Sequence, residues 1–178
     1  MLIETEATPN PASLKFLPGR AVMGSGGTRE FSTPEAAEAS PLAQALFDTG
    51  EVAGVFFGAD FLTVTAAPGV AWGDLKPAVL SILLDHFVSQ APLFAPGTAA
   101  GISVPHEGSE MLFEDREEDA DIVAQINELI ETRVRPAVAG DGGDIRYRGF
   151  KDGVVYLQMQ GACSGCPSSA ATLKHGIE

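Results

Sequence analysis

The sequence predicts an α+β protein built of two small α+β domains joined by an acidic flexible linker. Three observations predict it. Runs of β-branched and aromatic residues alternate with runs of helical period in both halves of the chain. Between the halves, residues 91–118 lose both periods and collect prolines, glycines and carboxylates. The only two cysteines of the 178 residues, Cys163 and Cys166, stand together behind the last strand pattern. The expected units are 1–90, a linker 91–118, and 119–178.

In the first unit, Leu2 to Thr5 and Ser13 to Leu17 read as strands, with Thr8-Pro9-Asn10-Pro11 as the turn between them. Ser40-Pro41 opens a short helix carrying Leu42, Leu46 and Phe47. Val52 to Phe57 and Phe61 to Ala66 flank Gly58-Ala59-Asp60, a hairpin signal. Leu75, Val79, Ile82, Leu83, His86 and Phe87 then recur at helical spacing as far as Ser89. Trp72, the single tryptophan, is expected to anchor this core. The unit holds no cysteine and no convergent histidine and carboxylate group, so no chemistry is read in it.

Between Glu107 and Asp121, from the linker into the start of the second unit, stand eight carboxylates and one arginine, Arg116. That density resists collapse and predicts a solvated tether, with an acidic docking site as the functional alternative. In the second unit, Ile122, Val123, Ile126, Leu129, Ile130 and Val134 share one face of a helix expected from Asp119 to just before Pro136. Asp141-Gly142-Gly143 supplies turn chemistry, Asp144 to Phe150 reads as a strand, and Lys151-Asp152-Gly153 turns into a second strand, Val154 to Gln160. That strand places Val155, Leu157 and Met159 on one face and Tyr156, Gln158 and Gln160 on the other. Pro167 suits the first turn of a closing helix, which puts both thiols near a helix N-terminus, where thiolate is favoured.

Two thiolates at this spacing can chelate one metal or form one disulfide, but they cannot complete a four-thiolate site. The pair is therefore a redox dithiol or half of a metal site shared with a second copy. The other candidates have simpler roles. His86 lies on an apolar helix face and reads as a packed histidine. His106 and His175 lack ligand spacing to Cys163, and the Gly-Gly between Asp141 and Asp144 assigns those two carboxylates to turn and cap positions.

The formal net charge is −13, from 24 acidic against 11 basic residues. No basic patch follows any element, which argues against nucleic acid and anionic membrane surfaces. No apolar run approaches the roughly 18 residues that would span a bilayer. The start, Met1 to Glu6, is acidic and strand-like rather than a basic targeting segment, and the sparse cysteines suit a reducing compartment. A cytoplasmic protein is expected.

The residues also carry a resemblance. Asp141-Gly142-Gly143-Asp144-Ile145, Gly161-Ala162-Cys163-Ser164-Gly165-Cys166-Pro167-Ser168-Ser169 and Thr172-Leu173-Lys174-His175-Gly176-Ile177-Glu178, with Arg135 to Val138 as a helix end, resemble the C-terminal NifU-like domain of Nfu-type iron-sulfur scaffold proteins. Thr8 to Phe16, Ser40 to Ala43 and Val55 to Thr65 resemble the Nfu N-terminal domain. The resemblance implies a non-enzymatic carrier. It would hold a 4Fe-4S cluster, with 2Fe-2S as the alternative, on Cys163 and Cys166 of two subunits. Its partners would be a second copy, the assembly machinery and apo iron-sulfur clients. Chemically, a dithiol redox protein and a zinc-bridged dimer stay open, although the 12 residues after Cys166 cannot supply a thioredoxin-like frame. Family members continue further, so the C-terminal domain is expected to be cut short at Glu178.

Overall fold

A computed structural model describes residues 2–97 and 117–163. In the first unit, β1 (Glu4–Ala7), β2 (Ser13–Leu17), β3 (Arg29–Phe31), β4 (Val52–Phe57) and β5 (Leu62–Ala66) form an antiparallel sheet in the order β1-β2-β5-β4-β3. Helices α1 (Pro34–Ala37), α2 (Pro41–Phe47) and α3 (Trp72–Val88) complete it. The strand register sorts side chains into rows that alternate between the two faces. One core row runs Phe16, Leu62, Phe57, and a second runs Leu14, Val64, Val55, Phe31. Both rows pack with Leu42 and Leu46 of α2 and Leu75, Val79 and Leu83 of α3.

Local chemistry fixes the helix ends. The Ser40 hydroxyl accepts from the Ala43 N–H, and Pro41 occupies the first turn, where its missing N–H costs nothing. The same hydroxyl donates to the Leu93 carbonyl at 2.5 Å. Leu93 and Phe94 pack on this core, so the chain stays against it past residue 90. The first strand lies two residues later than its sequence pattern, because pairing Thr5 with Phe16 across the Thr8–Ala12 turn fixes its position. β3 and α1, only 3 and 4 residues long, have no readable period.

The second unit begins with a tight turn at Glu117–Asp119, followed by α4 (Ala120–Leu129). The helix does not stop before Pro136. It widens into a π-helical turn at Ile130–Val134 and continues as α5 (Arg135–Gly140). Proline lacks an N–H and its ring crowds the carbonyl four residues back. A turn closed by the Arg135 N–H on the Ile130 carbonyl makes room for it. The hairpin β6 (Gly143–Lys151) and β7 (Val154–Gly161) follows, with a register shift between Tyr147 and Gly149. Ile130, Val134, Val138, Ile145 and Cys163 form its core. The expected apolar face is only partly used: Ile122 and Leu129 remain 47% and 43% exposed. The linker residues 98–116 lie outside the described residues.

Candidate functional site

Strand β7 delivers its last residue, Gly161, in the left-handed region, and the chain turns through Ala162 into Cys163. The Cys163 side chain points inward, is 5% exposed, and belongs to the core with Ile130, Val134, Val138 and Ile145. The thiol is covered because Gly143 leaves a space that it fills: a Cβ at Gly143 would lie 2.9 Å from Sγ and 3.1 Å from the Cys163 Cβ. Cys166, His106 and His175 lie outside the described residues. Among the described residues, no group of three or more His, Cys, Asp or Glu is gathered to hold a metal.

The Asp-Gly-Gly-Asp turn forms the other wall. Gly142 has φ +83°, which a side chain would strain. Its carbonyl accepts from the Ala162 N–H at 3.2 Å, closing the hairpin beside the cysteine. Asp144 is buried and takes a two-pronged bond from Arg135, at 2.9 and 3.0 Å. It also accepts from the Thr28 hydroxyl at 2.7 Å and the Ile145 N–H at 2.8 Å. Burial pushes its carboxyl pKa up, but the Arg135, Thr28 and Ile145 donors outweigh that and hold it below the usual value. Arg135 in turn is raised, chiefly by its bond to Asp144. Asp144 is thus a structural ion-pair residue, whereas Asp141 caps α5. His86 packs edge-to-face on Phe87, and burial lowers its pKa.

A third wall comes from the first unit. Thr63 of β5 donates to the Gly142 carbonyl at 2.7 Å, and Asn10 donates to the Ala162 carbonyl at 3.3 Å. The Gly161 N–H reaches a Glu30 carboxylate oxygen at 2.9 Å. Arg146 donates to the Thr28 carbonyl at 3.3 Å. The Phe56 ring lies so close to Gly161 that a Cβ there would stand 3.0 Å from it. None of these first-unit residues was singled out for a functional role from the sequence. Their signal was present in Val55-Phe56-Phe57 and Leu62-Thr63-Val64, strand segments buried on both faces instead of alternating.

Comparison with known proteins then bears on the whole chain. Residues 3–90 match the family described as Scaffold protein Nfu/NifU N terminal, and residues 126–178 match the NifU-like domain. All of the chain aligns at 46% identity with a protein of Drosophila ananassae named NFU1 iron-sulfur cluster scaffold homolog, mitochondrial, covering 59% of that relative. It aligns at 48% identity with NifU-like protein 5, mitochondrial, of Arabidopsis thaliana, again along its full length and covering 62% of that relative. The chain therefore spans about three fifths of the length of these curated relatives. A NifU-like protein from Saccharomyces cerevisiae, solved by solution NMR, is similar at 26% identity over 54% of this chain and 86% of its own, with a TM-score of 0.49. The mitochondrial names overturn the expectation of a cytoplasmic protein. The acidic start on which that expectation rested leads into β1 of the folded unit, so its composition reflects strand pairing and says nothing of compartment. With both domain families matched in order and relatives aligned along its full length, the chain belongs to the Nfu/NifU family, carrying an Nfu N-terminal domain followed by a NifU-like domain.

Proposed function

We propose that this protein is an iron-sulfur cluster scaffold and carrier. Its cargo is a 4Fe-4S cluster, with 2Fe-2S as the alternative, held by Cys163 and Cys166 of two chains and passed to apo-proteins. The observation that carries this reading is the placement of Cys163 at the end of β7, inside a NifU-like match that also contains Cys166. Four thiolates are needed and each chain offers two, which makes the loaded form a homodimer. Residues 1–90 and 119–178 are the working units, joined by 91–118. No residue is assigned a catalytic role, and no nucleic acid or membrane is assigned as a partner. Among the described residues, no helix is long and apolar enough to cross a membrane. The names of the relatives support a mitochondrial setting.

Because Cys163 is buried, loading requires its side chain to turn out of the core. Anaerobic reconstitution with iron and sulfide tests the reading. Absorption and Mössbauer spectra, iron and sulfide counts per chain, and sedimentation should give one cubane cluster per dimer and a mainly monomeric apo form. A monomer carrying a full cluster, a zinc-only dimer, or a reversible dithiol without iron would each overturn it.

A further inference from the structure

The sheet of the first unit has two covered faces, and the second cover is the cysteine-bearing unit. Between the two core rows runs a third row, Glu6, Lys15, Thr63, Phe56, Glu30, one residue from each of the five strands. The pleat turns these side chains to the face opposite the helices, which in an antiparallel sheet is ordinarily the wet one. Here Thr63 and Phe56 are each only 1% exposed. Phe56 belongs to neither hydrophobic core, whereas its neighbours Val55 and Phe57 belong to the first. It is buried against Gly161 of the other unit.

We propose that this row is a docking surface whose occupant is the Gly142–Cys163 shoulder of the same chain, and that the dock competes with pairing of two cysteine loops. Three features fit the surfaces to each other. The shoulder presents Gly142 and Gly161, and a Cβ at either would stand 2.9 Å from the Thr63 hydroxyl or 3.0 Å from the Phe56 ring. Polar groups of the shoulder meet matching partners: the Gly142 carbonyl takes the Thr63 hydroxyl, the Ala162 carbonyl takes Asn10, and Asp144 takes Thr28. Gly161 stands opposite Gly143 at a position where the ladder bond runs instead from Ala162 to Gly142. Its own N–H therefore points away from β6, and Glu30 receives it.

The competition rests on the function proposed above. A second chain must bring two thiolates to Cys163, and in the docked form the segment leading to Cys163 is held by Glu30 at Gly161 and by Asn10 at Ala162. Releasing the shoulder should therefore speed loading.

The test uses the full chain with Thr63→Val and Phe56→Thr combined. Both replacements keep strand-forming shapes and leave the core rows intact. Amide exchange by NMR in the apo protein should show Gly161 protected in the parent. It should exchange at least about tenfold faster in the double variant, with Val55 and Val64 unchanged. Iron-sulfide loading of the double variant should be several-fold faster. An unprotected Gly161 in the parent, or protection unaffected by the two substitutions, would overturn the docking surface. Protection that grows with protein concentration would place the dock between two chains and overturn the assignment to one. Equal loading rates with a released shoulder would overturn the competition alone. Failure of both forms to take up any cluster would instead refute the proposed function, while the exchange data would still judge the dock.

Discussion

Gly143 and Cys163 occupy one another's space: a single added methyl group on Gly143 would press on the Cys163 Sγ at 2.9 Å and also run into the Gln160 carbonyl. The thiol is thus seated by the absence of a side chain on the facing strand. Gly143→Ala should destabilise the second unit by about 1–3 kcal/mol, the usual cost of overpacking. It should also change the reactivity of Cys163. Chemical denaturation, together with alkylation rates in a Cys166→Ser background, measures both effects.

Cys163→Ala and Cys166→Ala should each abolish cluster retention, because a dimer missing one thiolate per chain leaves two of four positions open. His106→Ala and His175→Ala should load normally. Iron and sulfide counts after gel filtration decide this. A histidine variant that loses its cluster with unchanged circular dichroism would change the ligand set.

Removing Arg135 should harm the fold more than removing the charge it neutralises. Arg135→Met leaves the buried Asp144 carboxylate without its main partner, at a cost of about 3 kcal/mol, the low end for breaking a buried pair because the arginine is partly exposed. Asp144→Asn with Arg135→Met should recover part of that loss in a denaturation cycle.

The depressed pKa of Asp144 also sets an acid limit. A carboxyl whose pKa falls on folding contributes stability that is fully present above its ordinary value, 3.8, and is lost as pH falls through the folded value. Unfolding midpoints of the parent should therefore drop below about pH 4, more steeply than those of Asp144→Asn. Since Asp144 also binds Thr28, the same acidification should loosen the contact between the two units.

Leu83→Ala, at the centre of the first core, should cost about 2–5 kcal/mol in that unit. It should leave reconstituted iron per chain unchanged, since no ligand lies in that core. Separate thermal transitions and iron content are the readouts.

Much of the fold was legible because short-range chemistry determined it. Ser40-Pro41 gave the start of α2, Val52 to Phe57 gave β4 to the residue, and Lys151-Asp152-Gly153 gave the β6–β7 turn. What was not legible depends on distant neighbours. Pro136 marks a helix end by local sterics, yet tertiary packing of Val138 beside Ile145 keeps the helix going through a widened turn. The cysteine motif pointed to Cys163, but its inward seat depends on Gly143 across the hairpin. Thr63 and Phe56 looked like ordinary strand residues, because the surface that covers them comes from the other half of the chain.

The widened turn has a rotational consequence. An α-helix advances about 100° per residue, so positions four apart slip around the axis by about 40° each step. Over Ile130, Val134 and Val138 a uniform helix would swing the last side chain about 80° from the first. The Ile130–Val134 turn winds less per residue and takes back part of that slippage, and all three belong to one core with Ile145 and Cys163. Rewinding that single turn to regular pitch would turn Val138 and Arg135 together about the helix axis, away from the core of Ile145 and Cys163 and from Asp144.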